Sequence, residues 1–309
     1  MLSVTAPRVA LGPTRSEFAK QAIRDGGGEP ADVDARADAL VWLNPADLGG
    51  LRTALATASS ARWVQLPFAG VEKVAAAGMF DPGRVWTSAK GAYAEPVAEH
   101  ALALALAGLR LLPRRIMARS WGKPAGTSLY DQPVTILGGG GITERLLELL
   151  APLRVTATVV RHRPDPLPGA ARTVGQDALP GVLTGAQVVF LALALTPATE
   201  RIIGPAALAA MHPGAWLVNV ARGGHVDTDA LVTALDEGAI GGAALDVTDP
   251  EPLPDGHPLW GRENCIITPH TADTTEMIMP LLARRIRDNV ARFAAGEPLL
   301  GLVDPALGY

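Results

Sequence analysis

At 309 residues the chain is longer than one hydrophobic core commonly supports, so two domains are expected. Hydrophobic residues make up 48% and charged residues 19%, a globular balance that excludes a disordered or fibrous chain. The net charge of -4 leaves no basic footprint for nucleic acid, and Cys265, the one cysteine, excludes an internal disulfide.

In chain order, the N-terminal stretch carries Arg8 and Arg15 and holds no apolar run of signal-peptide length, so a cytoplasmic protein is expected. Short apolar pieces at 8–11, 39–43 and 63–66 alternate with polar or alanine-rich segments of helix length. This is the rhythm of a parallel sheet covered by helices on both faces. At Glu95-Pro96 a proline-started helix opens and runs through Ala/Leu sequence to Leu109, linking the two domains. Its apolar run is the longest in the chain and falls far short of the roughly 20 residues a membrane span needs, so no membrane segment is expected. Six short buried strands follow, at 134–137, 155–160, 188–193, 216–220, 242–245 and 266–267, a number that suits a doubly wound nucleotide-binding sheet. Cys265 sits in the last apolar run and reads as a buried structural thiol. Over 275–295, Arg284, Arg285 and Arg287 interleave with Met277, Leu281, Leu282, Ile286, Val290 and Phe293 at helical period. That helix is expected to pack back onto the first domain, making it discontinuous.

The strand at 134–137 leads straight into Gly138-Gly139-Gly140-Gly141-Ile142-Thr143, after which 144–150 reads as helix. Gly138 and Gly140 permit a tight turn and close approach of a pyrophosphate, while the amides of Gly141 and Ile142 at the helix start face its charge. The third slot of G-x-G-x-x-G holds Thr143, which points to a helix slightly displaced on its strand. The next strand ends Val159-Val160-Arg161-His162-Arg163, where a site for NAD would place an acid against the ribose 2′-hydroxyl. Arg161 and Arg163, with His162 between them, instead offer guanidinium forks to a 2′-phosphate, so NADP (NADPH) is favoured over NAD. A solvated basic strand end is the other reading.

Residues 219–270 gather a cation, carboxylates and an imidazole in Asn219-Val220-Ala221-Arg222-Gly223-Gly224, Leu245-Asp246-Val247, Glu251-Pro252-Leu253-Pro254 and Thr268-Pro269-His270. Hydride transfer to a 2-keto acid needs a fixed positive group, a proton donor and a carboxylate to hold that donor. Upstream stand Leu66-Pro67-Phe68-Ala69-Gly70-Val71-Glu72, Pro96-Val97-Ala98-Glu99-His100, the glycine loop and Leu195-Thr196-Pro197-Ala198-Thr199. In this order the motifs resemble those of the D-isomer-specific 2-hydroxyacid dehydrogenases, of the glyoxylate/hydroxypyruvate reductase kind, over most of the chain from Gln65 to Ala272.

That resemblance implies an α/β fold of two doubly wound parallel-sheet domains with a cleft between them. A flavodoxin-like substrate domain would comprise 1–94 and 275–309, and a Rossmann-type cofactor domain 95–274. It implies that Arg222 grips the substrate carboxylate, that His270 passes a proton to and from the carbonyl oxygen, and that Glu251 holds the other imidazole nitrogen. Thr196 and Ala221 would line the cofactor groove. Asp246 closes an apolar strand and needs a partner, either the nicotinamide carboxamide, as the resemblance implies, or a structural hydrogen bond. The amides of Ala69 and Gly70 would form a nest for the substrate carboxylate, a plain turn being the other reading. His100 is expected to be a satisfied interdomain residue, and His212, His225 and His257 to lie in loops; no set of histidines has metal-ligand spacing.

Three positions depart from the family pattern: Thr143, Ala194 in place of a proline, and Ala272-Asp273 after the histidine turn, where Asp273 adds a negative charge. The expected partners are a small 2-keto acid, with glyoxylate or hydroxypyruvate the natural candidates, and a second copy in a homodimer, with no nucleic acid and no membrane. The alternative is a dinucleotide-sensing, corepressor-like binding protein of the same fold.

Overall fold

The computed structural model describes residues 6–304. The chain forms two compact units, Met1–Tyr93 with Thr274–Tyr309, and Ala94–Asp273.

The first unit is built on β1 (Arg8–Gly12), α1 (Glu17–Asp25), β2 (Glu29–Ala31), β3 (Ala39–Trp42), α2 (Leu48–Thr57), β4 (Trp63–Gln65), α3 (Glu72–Ala76) and β5 (Val85–Thr87). Its strands pair in parallel in the order β2-β1-β3-β4-β5, the flavodoxin order. Every residue of β3 and β4 is buried, as a parallel strand covered on both faces requires.

The second unit runs α4 (Ala94–Leu109), α5 (Leu112–Met117), β6 (Pro133–Leu137), α6 (Gly141–Leu150), β7 (Thr156–Val160), β8 (Arg172–Val174), α7 (Leu179–Leu183), β9 (Val188–Leu191), α8 (Pro205–Ala210), β10 (Trp216–Asn219), α9 (Thr228–Asp236), β11 (Gly242–Leu245) and β12 (Cys265–Ile267). The order β12-β11-β10-β9-β6-β7-β8, wholly parallel, is the doubly wound dinucleotide-binding order with one added strand. Side-chain alternation along β9 divides the core. Val188 and Phe190 join α4 and α6 on one face, whereas Val189 and Leu191 join α7, α8 and α9 on the other. Trp216 is wedged against Gly108 of α4 and Gly242 of β11; a Cβ at Gly108 would run into its ring, so glycine there lets the helix lie close on the sheet.

The chain then returns to the first unit as α10 (Thr275–Ala295), the helix anticipated over 275–295. Leu282, Ile286 and Val290 pack with Val9, Ile23 of α1 and Trp63. Asn289, fully buried, is satisfied by Gln65 Oε1 (2.8 Å) and the Leu300 backbone (2.7 and 3.0 Å).

The second sheet has seven strands where six were anticipated. At one edge of the first sheet β5 was overlooked because it is only three residues long, although Trp86 and Thr87 are buried; the extra strand β8 and β2, the first sheet's other edge, are three-residue edge strands with no buried residue. An edge strand buries too little to impose an apolar pattern. Among the described residues no helix is long and apolar enough to cross a membrane.

Candidate active site

The residues singled out in the second unit converge on the carboxyl ends of its strands. The glycine loop follows β6, Arg161 follows β7, Thr196 lies beyond β9, Ala221 and Arg222 follow β10, Asp246 directly follows β11 and His270 lies just past β12. The order reverses between β6 and β9, where a doubly wound sheet opens its ligand crevice.

Gly138 has φ 111, and a Cβ there would strike the Ala192 carbonyl, so no other residue fits the turn. At Gly140, the N-cap of α6, a Cβ would meet nothing within 4 Å, which leaves open space in front of the helix N-terminus. The half-buried Arg161 lies along the loop, its Cδ 2.8 Å from where a Gly139 Cβ would stand, while His162 and Arg163 are exposed. Open glycine backbone, a helix start and a guanidinium beside it fit a phosphorylated dinucleotide. Thr143 fills the third slot fully buried, its hydroxyl donating to the Gly138 carbonyl at 3.0 Å. The Thr196 N–H donates to Thr199 Oγ1 (2.9 Å), and that hydroxyl donates to the Ala194 carbonyl (2.8 Å), which closes the turn at the second departure from the family pattern.

His270 Nδ1 stands 2.7 Å from Glu251 Oε1, with 47% and 43% of the two side chains exposed. The carboxylate accepts from Nδ1–H, which leaves Nε2 for chemistry. Arg222 is half-buried in extended backbone, and Asn219 shapes its loop by donating to the Arg222 carbonyl (2.9 Å) and accepting from Ala221 N–H (3.0 Å). Ala69 and Gly70 belong to the other unit, exposed and half-buried in the turn after β4.

Asp246 is 2% exposed, and both its oxygens are taken by protein donors. Oδ1 accepts from Thr268 Oγ1 (2.6 Å) and Thr271 N–H (2.9 Å) with His100 Nε2 at 3.3 Å, and Oδ2 accepts from Ala272 N–H (3.1 Å). The structural reading of this residue therefore has its hydrogen bonds in place. Burial alone would push the carboxyl up; the bonds from His100, Thr268 and the two amides outweigh it and hold the group at about 2, against 3.8 for an ordinary aspartate. A carboxyl held below its unfolded value stabilises the fold above about pH 4 and loses that contribution as pH falls through about 2. At roughly 1.4 kcal/mol per unit this amounts to about 2 kcal/mol. Asp246→Asn is thus expected to lower the urea midpoint at neutral pH and to approach the wild type on acidification; a gap that persists below about pH 2 would assign the loss to packing.

Asp273 is half-buried, and burial raises its carboxyl, with Asp246 adding to the effect while His270 and Arg222 oppose it. Burial also pushes the Cys265 thiol up to about 12, against the pull of Arg262, so it is an inert packing residue.

Two histidines outside the His270–Glu251 pair have defined partners. His100 has partners inside its own unit, at Thr268 Oγ1 (3.0 Å) and Asp246. His225 does sit in a loop turn, but it is fully buried, its ring nitrogens 3.0 Å from the Thr199 carbonyl and 3.2 Å from that of Leu193. Thr268 and Asn219 were not singled out in advance. A hydroxyl two residues before His270 and an amide three before Arg222 were the available signals.

The profile of the family described as D-isomer specific 2-hydroxyacid dehydrogenase, NAD binding domain, matches residues 100–272. The chain is 39% identical over 294 residues to the "uncharacterized protein in proB 3′ region" of Corynebacterium melassecola, covering 93% of this chain and 95% of that one. It is 29% identical over 283 residues to glyoxylate/hydroxypyruvate reductase A of Photorhabdus laumondii, covering 88% and 87%. A D-isomer specific 2-hydroxyacid dehydrogenase from Xanthobacter autotrophicus Py2, solved in complex with NADPH and MES, superposes with a TM-score of 0.84 at 28% identity, over 99% of this chain and 100% of that one. The sheet order, the family profile and these relatives agree: the chain belongs to the D-isomer-specific 2-hydroxyacid dehydrogenase family and is an NAD(P)-dependent oxidoreductase.

Proposed function

We propose that this oxidoreductase reduces small 2-keto acids, glyoxylate or hydroxypyruvate, to 2-hydroxy acids in the cytoplasm, with NADPH preferred over NADH. The observation that carries the reading is the 2.7 Å contact of His270 Nδ1 with Glu251, at the same strand-end edge as Arg222. A bound nicotinamide dinucleotide supplies the hydride. Arg222 binds and orients the substrate carboxylate with a permanent planar cation. His270 gives the Nε2 proton to the carbonyl oxygen, and Glu251 keeps the ring turned for that transfer. Gly140 and the start of α6 receive the pyrophosphate, and Arg161 with Arg163 receives the 2′-phosphate. The name of the Photorhabdus relative and the NADPH bound to the Xanthobacter enzyme support the substrate and cofactor choices.

A spectrophotometric panel of 2-keto acids with NADPH and NADH tests this. Turnover of glyoxylate or hydroxypyruvate, faster with NADPH, is expected. Tight NADPH binding with no turnover across the panel would make the protein a dinucleotide sensor.

We also propose a homodimer. Ile116 of α5 is 80% exposed and Trp121 in the following loop 97%, with Leu106, Leu112, Met117 and Tyr130 exposed nearby in sequence. Large apolar groups in such a cluster mark a surface that a partner covers. Ile116→Asp with Trp121→Asp is expected to halve the mass seen by sedimentation; an unchanged mass would place the interface elsewhere.

A further inference from the structure

His270 occupies the left-handed region of the backbone at φ 52, which a histidine adopts only where its surroundings hold it. Its own N–H is directed between the carbonyls of Asp246 (2.8 Å) and Thr268 (2.9 Å). The Asp246 carboxylate straddles it, taking the Thr268 hydroxyl on one side and the Thr271 and Ala272 amides on the other. This clamp ties the turn after β12 to the end of β11.

His100 enters the clamp from α4, its Nε2 3.0 Å from Thr268 Oγ1 and 3.3 Å from Asp246 Oδ1. The Thr268 hydroxyl has one proton, and at 2.6 Å from Asp246 that proton is committed. Thr268 Oγ1 therefore accepts from His100 Nε2–H. His100 fixes the direction of the hydroxyl and shares the charge of a carboxylate that water does not reach. We propose that His100 is a positioning residue for the reaction: its Nε2–H donation to the Thr268–Asp246 pair holds the 268–272 turn in the form that keeps His270 on Glu251. The inference rests on His270 being the proton donor proposed above.

Three variants separate a donor at Nε2 from simple packing. In His100→Gln the amide nitrogen reaches about where Nε2 lies, in His100→Asn it falls short, and in His100→Phe the volume is kept without a donor. The Phe and Asn variants are expected to lose about ten-fold in kcat with NADPH affinity unchanged, and Gln to restore most of it. Hydrogen exchange, read by mass spectrometry on the folded protein with NADPH, is expected to quicken at the Thr271 and Ala272 amides in Phe and Asn but not in Gln. Wild-type exchange in all three variants, a Gln variant no better than Phe, or a loss in NADPH affinity instead of kcat would overturn the proposal. His270→Ala assayed in parallel keeps the two ideas apart. If it turns over normally, the catalytic reading fails, while the exchange data still judge the clamp. Should His100→Phe not fold, the Gln and Asn variants carry the same comparison.

Discussion

His270→Ala is expected to lower kcat by about 10²- to 10⁴-fold while NADPH binding stays near wild type, the range typical of a positioned proton donor. The expectation follows from which nitrogen is engaged. Glu251 occupies Nδ1 at 2.7 Å, so in the proposed reaction Nε2 is the nitrogen left to carry the proton, and alanine removes it without disturbing the glycine loop after β6. Glu251→Gln is the graded companion. An amide in its place holds the ring less firmly and supplies no charge, so kcat should fall by a smaller factor. Stopped-flow measurement of the hydride step with the preferred 2-keto acid, alongside fluorescence titration of NADPH, separates chemistry from binding. A His270→Ala enzyme that keeps its rate would end the proposed role.

The second large effect is expected at the end of β7. Charge-assisted hydrogen bonds from guanidinium groups to phosphate contribute roughly 1.5–3 kcal/mol each, less where water screens them. Arg161 is half-buried along the loop and Arg163 is exposed, so Arg161 should dominate. Replacing both with alanine is expected to raise the KM for NADPH by about 10- to 100-fold, since each 1.4 kcal/mol is a factor of ten, and to leave that for NADH nearly unchanged. Arg163→Ala alone should cost far less. Equal losses with the two cofactors would make these arginines an ordinary solvated strand end.

How far the sequence carries such expectations depends on the range of the interaction. The central strands β6, β7, β9, β10 and β11 announce themselves as apolar runs, because burial on both faces leaves little room for polar residues. The three-residue edges β2 and β8 bury no residue and were invisible, while β5, with Trp86 and Thr87 buried, is too short to stand out as a run. The same division holds in the site. The His270–Glu251 pair was legible because both residues stand in recognisable motifs. The partners of Asp246 were not, since a strand-ending carboxylate reads the same whether it meets a ligand, a hydroxyl or a backbone amide. His100 lies 168 residues from Thr268, and no local pattern joins them. The burial of His225 in its turn was not legible, because its two carbonyl partners come from the segment 193–199, on the far side of α8 and β10 in sequence.

The order of the second sheet has one more effect. β7 and β12 are separated by four intervening strands, so at the usual spacing the arginines proposed to sort cofactors and the histidine proposed to pass the proton lie roughly 24 Å apart across the sheet. Substitutions at such a distance contribute independently. With the proposed roles, evolution or an engineer can exchange the electron donor without renegotiating the acid–base chemistry, and can retune that chemistry without losing the donor.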